Sequence, residues 1–174
     1  GVLFSKDGAM LYCYPAGKSE VSYTIPAGVT TIEEEAFAYN THLTTIPSSS
    51  VTTVGNNAFK GCTHLSSVTL TGLNTIGTSI FSGCSALATL NITGGGSLNI
   101  PGEYFINNVT LKDVTLNSVS TIGNAAFWQC SELTTLTING STAIGDRAFY
   151  NCDKLVTPSL SGVTSIGIEA FGSC

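Results

Sequence analysis

Charge is what this chain has least of. Only 10% of its 174 residues are Asp, Glu, Lys or Arg, against roughly 25% in an ordinary soluble domain. Six Lys and Arg against eleven Asp and Glu leave a formal charge of −5. With so few basic residues, scattered along the chain, there is no electrostatic footprint for nucleic acid or an anionic membrane. No apolar run approaches the eighteen or so residues that would span a bilayer, which excludes direct membrane insertion by a helix. Histidine is nearly absent too, with two in the chain. H-E-x-x-H, G-x-S-x-G and a Gly-rich phosphate loop leading into a helix are all missing, and no cofactor is called for. No acid, base and nucleophile set stands out, so the chain reads as a non-enzyme.

What is abundant is Thr, Ser, Asn and Gly, within a composition that is 43% apolar. This is enough apolar material for a core, with a neutral-polar surface around it. The apolar residues are periodic. Phe37, Phe59, Phe81, Phe105, Phe127, Phe149 and Phe171 are separated by 22 residues, except for one interval of 24. Five residues before each stands an aliphatic (Ile32, Val54, Ile76, Ile100, Ile122, Ile144, Ile166), and six after the first six stands Leu43, Leu65, Leu87, Leu111, Leu133 or Leu155. The unit reads I-G-x-x-A-F-x-x-C-x-x-L-x-x-L-x-L. One such unit cannot bury its own apolar face, whereas stacked copies create a continuous core. The expected fold is therefore a β-rich, right-handed repeat solenoid of about seven coils. The alternating L-x-x-L-x-L tail supplies one strand per coil to a parallel sheet. The Gly-punctuated remainder supplies turns or single 3₁₀ turns on the other side.

The pattern resembles the BspA-like, or Treponema-type, leucine-rich repeats across residues 29–174. Asn40 and Asn108 depart from it at the cysteine, Ser48 and Pro158 in the strand, and Ile80 and Tyr104 at the alanine. The resemblance implies a bacterial protein outside the cell or on its surface, its signal peptide removed, serving adhesion or protein binding. Residues 1–28 read as an N-terminal β-hairpin cap whose third strand, with Val21, Tyr23 and Ile25 alternating, should pair with the first full coil. At the other end the array stops within its last unit at "IEAFGSC", so an apolar end is expected there, open to end-to-end packing.

Candidate sites follow from repeat phase. Cys62, Cys84, Cys130, Cys152 and Cys174 all stand three residues after a repeat Phe. Their spacing is unlike C-x-x-C, and a buried column that suits the turn explains them better than a metal or disulfides. His42 and His64 share a variable phase and read as exposed. The residues between the strand leucines should face outward on a concave sheet face and recognise a protein or glycan ligand. They are Ser67, Thr69 and Thr71; Thr89, Asn91 and Thr93; Asp113, Thr115 and Asn117; and Thr135, Thr137 and Asn139. A secondary contact stripe is expected at Ile106, Trp128 and Tyr150, each just after its Phe. The alternative function is a structural spacer presenting another domain. An ice-binding threonine array is a remote third, because Asp113 and the 24-residue coil interrupt the lattice.

Overall fold

A computed structural model describes residues 1–49 and 51–174, and all of their side chains except those of Ser48 and Ser49. The strand irregularity expected at Ser48 thus lies outside the described side chains. Among the described residues there is no helix: each coil consists of strands and turns. The chain forms two compact units, Gly1–Leu87 and Ala88–Cys174.

Unit 1 begins with β1 (Leu3–Phe4) and β2 (Met10–Cys13), an antiparallel hairpin closed by Ser5–Gly8. β2 then continues in parallel into β3 (Thr31–Ile32), β5 (Thr53–Val54) and β7 (Thr75–Ile76), a narrow ladder carrying the aliphatic column. On the other limb of each coil, β4 (Thr45–Ser49) pairs in parallel with β6 (Ser67–Leu73). The N-terminal segment meets the first coil on both limbs. The hairpin's second strand also reaches the first coil, through Leu11 opposite Ile32, while the Val21–Ile25 segment pairs with the first coil's other limb, the Thr44 and Thr45 N–H groups donating to the Val21 carbonyl. Val21 is 61% exposed and Ile25 buried, and Ser22 bridges to Thr45 in parallel. The physical reason is that residues 11–29 themselves make an irregular coil. Leu11 extends the aliphatic column, and Tyr14 stacks on Phe37 at 5.2 Å with Tyr23 against it at 4.6 Å, taking the place of a repeat Phe.

Unit 2 is more regular. β8 (Thr89–Ile100), β9 (Asp113–Ile122), β10 (Thr135–Ile144) and β11 (Ser159–Ile166) form a parallel sheet in that order. Here the leucine strand and the aliphatic column of the following unit run together as one long strand. A bend joins them at a residue of positive φ: Gly96, Ser118, Gly140 or Gly162. A bulge of this kind lets the strand turn a corner without breaking the ladder.

Both units pack the same way inside. The Phe rings stack nearly parallel, 5.0 Å from Phe37 to Phe59 in unit 1 and 4.7 and 5.0 Å along Phe105, Phe127 and Phe149 in unit 2. Two left-handed residues flank every Phe. At two before it stand Glu35, Asn57, Ser79, Glu103, Ala125, Arg147 and Glu169, and at two after it Tyr39, Gly61, Gly83, Asn107, Gln129, Asn151 and Ser173, all with φ between 51° and 76°. A left-handed residue every fourth position forbids an α-helix and produces consecutive turns. These turns aim alternate N–H groups at the next coil: Ala125, Phe127 and Gln129 donate to the carbonyls of Asp146, Ala148 and Tyr150. The glycine of I-G has a different cause. A Cβ on Gly55 would lie 2.5 Å from the Glu34 nitrogen and 2.7 Å from the Glu33 carbonyl carbon, so adjacent backbones leave no room for one.

Candidate functional site

The cysteine column is structural in its geometry. Each repeat thiol donates to the carbonyl of the Phe one coil back: Cys62 to Phe37 at 3.1 Å, Cys84 to Phe59 at 3.0 Å, Cys130 to Phe105 at 3.3 Å and Cys152 to Phe127 at 3.4 Å. Burial pushes the Cys62 thiol up to about 11 and those of Cys84 and Cys130 up to about 12, and raises that of Cys152 as well. Thiols buried, bonded and held protonated in this way are poor nucleophiles at neutral pH. All six cysteines are free, with Cys13 and Cys174 exposed. Asn40 solves the same position differently. Its amide group donates to the carbonyls of Pro15, Ala16 and Lys18 while its Oδ1 accepts from the His42 and Leu43 N–H groups, which ties the irregular first coil to the next. Asn108 likewise accepts from the Thr110 and Leu111 N–H groups.

His42 and His64 are exposed. Among the described residues, no three His, Cys, Asp or Glu side chains lie close enough together to hold a metal ion. Charged side chains pair across coils, Arg147 with Glu169 at 2.7 Å and Lys154 with Glu132 at 2.6 Å, so little net field is left at those points.

The outward strand residues fall where period-two alternation puts them. In unit 1, Ser67, Thr69 and Thr71 lie half-buried on β6 between the buried Val68 and Leu70. In unit 2 the parallel register aligns them in rows across adjacent strands. Thr89, Asp113 and Thr135 form one row, Asn91, Thr115 and Thr137 a second, and Thr93, Asn117 and Asn139 a third. The third row is laced together: the Asn117 amide donates to Thr93 Oγ1 at 3.4 Å, and the Asn139 amide to Asn117 Oδ1 at 2.9 Å. Asp113 is the one charge in these rows.

Many other hydroxyls serve the stack. Thr44, Thr52, Ser66 and Thr134 each donate to a backbone carbonyl of the preceding coil, at 2.9, 3.2, 3.0 and 3.2 Å. The richness in Thr and Ser therefore has a structural share at the strand entries. Composition does not reveal that share; its signal is Thr or Ser just before four of the strands, at Thr44, Thr52, Ser66 and Thr134. On the turn side, Ile106 is 41% exposed, while Trp128 and Tyr150 are half-buried and meet edge to face at 5.6 Å.

Coils of this kind, with a parallel sheet on one limb, turns on the other and a phenylalanine stack within, define a leucine-rich-repeat protein. The profile of the BspA type leucine rich repeat region matches residues 12–134 and 71–174, with six copies. The chain belongs to this family. Among solved structures, a leucine-rich repeat protein from Eubacterium ventriosum is 30% identical over 99% of this chain and 48% of its own, with a TM-score of 0.84. The leucine-rich repeat protein of T. pallidum is 25% identical over 100% of this chain and 86% of its own, with a TM-score of 0.72. A leucine rich cell surface protein from Faecalibacterium prausnitzii is 26% identical over 94% of this chain and 52% of its own, with a TM-score of 0.57. This chain thus spans about half the length of the E. ventriosum protein. No curated protein matches it.

Proposed function

We propose that this chain is a non-enzymatic binding module of a bacterial surface or secreted protein, which holds a macromolecular ligand on the Thr, Ser and Asn rows of its sheet. The observation that carries the reading is the register-matched lattice of unit 2, with Thr93, Asn117 and Asn139 tied side chain to side chain. Side chains already held in one conformation lose little entropy on binding, so neutral hydrogen bonds of about 0.5–1.5 kcal/mol each can accumulate. Family membership supports a role at surfaces, and the F. prausnitzii neighbour is itself described as a cell surface protein.

The test is adhesion of beads coated with the protein to epithelial monolayers. Thr69→Lys, Thr115→Lys and Thr137→Lys, made one at a time, each place a long charged side chain in the lattice. At least one should lower adhesion about tenfold with the fold intact by circular dichroism, and adhesion by the parent should change little between 50 mM and 500 mM salt. Undiminished adhesion by all three variants would favour the spacer reading. A steep fall with salt would show that charge, not this neutral lattice, carries the contact.

A further inference from the structure

The turn side of unit 2 differs from that of unit 1 in a way the fold does not require. The position two after each repeat Phe is left-handed throughout, which suits glycine, and unit 1 has Tyr39, Gly61 and Gly83 there. Unit 2 has Asn107, Gln129 and Asn151, with φ of 58° at each. Asn tolerates this conformation, but Gln has no special aptitude for it. Their backbone N–H groups bond to the next coil, but among the described residues their side-chain amides have no hydrogen-bond partner. By contrast Asn40, Asn56, Asn108 and Asn124 each accept a backbone N–H. Fold geometry thus accounts for those four and leaves Asn107, Gln129 and Asn151 without a structural task.

The same three amides line one depression. Together with Val109, Ser131 and Asp153 they border a groove of about 240 Å³ running across three successive coils. On those same coils the position one after each Phe changes from Ala38, Lys60 and Ser82 in unit 1 to Ile106, Trp128 and Tyr150. An amide rail with a hydroxyl and a carboxylate is a composition that suits sugars, because amides and a carboxylate take pairs of hydroxyls, and Val109 adds an apolar contact beside them. The spacing favours a glycan over a peptide. Coils advance by 4.7 to 5.0 Å, taken from the Phe105, Phe127 and Phe149 rings. An extended peptide lying along the groove advances about 3.3 Å per residue and falls out of step, whereas an extended β-linked pyranose chain advances by close to one coil per sugar. No cation lines the groove, so an acidic polysaccharide would find no counter-charge.

We infer that Asn107, Gln129, Asn151, Ser131 and Asp153 form a binding groove for an extended, neutral β-linked glycan, one sugar to a coil, independent of the sheet face. The experiment is affinity electrophoresis of the protein in gels containing hydroxyethylcellulose, mixed-linkage β-glucan, xyloglucan, glucomannan or galactomannan, with dextran sulfate as the acidic control. At least one neutral polymer should retard the protein, equally at low salt and at 0.5 M NaCl. A triple variant, Asn107→Gly, Gln129→Gly and Asn151→Gly, copies the residue of Gly61 and Gly83 and so keeps the turn. Its affinity should fall at least tenfold while its melting curve stays that of a folded protein. Thr115→Lys on the sheet should bind as the parent does, which separates this groove from the lattice proposed above. Three results would overturn the inference: no retardation by any neutral polymer, unchanged retardation of the triple variant, or retardation by dextran sulfate alone that salt abolishes.

Discussion

Raising the pH from 7.5 to 10 should destabilise both units through their buried thiols. A thiol whose folded pKa lies above its unfolded value stays protonated in the fold after the unfolded chain has begun to release its proton. The folded state then binds more protons than the unfolded one, and stability falls as pH rises. The fall begins near the unfolded value of about 9 and levels off only beyond about 11 for Cys62 and about 12 for Cys84 and Cys130. Below pH 8 nothing is lost. At pH 10 an unfolded thiol is about nine-tenths ionised, and the loss is on the order of 1 kcal/mol per thiol. Unit 1 carries two such groups, Cys62 and Cys84, and unit 2 carries Cys130 and Cys152. The expected loss per unit is a sizeable fraction of the roughly 5–15 kcal/mol that holds a domain together. Tyr14, whose hydroxyl burial pushes up to about 12, adds in the same sense above pH 10, so the window should close there. Urea unfolding at half-unit steps from pH 7.5 to 10 reads the slope. The same series on Cys62→Ala with Cys84→Ala isolates the thiols, since that variant starts lower but should decline more shallowly. Equal slopes for parent and variant would refute the reasoning. As a companion measurement, iodoacetamide in the native state should label Cys13 and Cys174, with the other four protected until denaturant is added.

Other substitutions probe the packing. Gly55→Ala should cost about 1–3 kcal/mol or more in urea unfolding, because its Cβ meets backbone of the preceding coil that cannot swing away, whereas Gly17→Ala, with nothing within 4 Å, should be near neutral. A cost below about 0.5 kcal/mol for Gly55→Ala would mean that coils slide apart easily. Phe127→Ala removes a ring that is 0% exposed and stacked on both sides, and should cost about 3–5 kcal/mol by thermal or chemical melting. Asp146→Ala removes the carboxylate that accepts the Ile168 N–H at 2.7 Å and should cost about 1 kcal/mol, with Asp146→Asn restoring most of it.

Side-chain periodicity carried most of the fold into view. Phe59, Leu65, Val68 and Leu70 are each fully buried as their phase requires, and Thr69 faces outward between the last two. What periodicity could not carry was backbone conformation. The left-handed positions on either side of Phe127 are filled by Ala125 and Gln129, residues that announce no turn. Those turns are imposed by N–H groups bonding to the next coil rather than by local preference. The first coil shows both sides of this: Val21, Tyr23 and Ile25 alternate as a strand does and the segment pairs with Thr44 and Thr45, but no repeat motif announces that the Tyr14 and Tyr23 rings end the phenylalanine stack. The turn-side groove was missed because its signal is a contrast between coils, not a motif within one: a left-handed position occupied by Gly61 and Gly83 changes to amides on the same three coils where its neighbour becomes apolar.

The hydrogen bonds that join one turn segment to the next, such as those from Ala125, Phe127 and Gln129, run from backbone to backbone and in one direction. On its turn limb a coil therefore offers its successor donors and its predecessor acceptors whatever side chains it carries, so long as its length and its two left-handed residues are kept. Such a protein is a tape that can be cut or copied by whole coils. Duplication and loss of 22-residue segments leave every joint equivalent, and the surface residues of each coil are free to drift toward a different ligand.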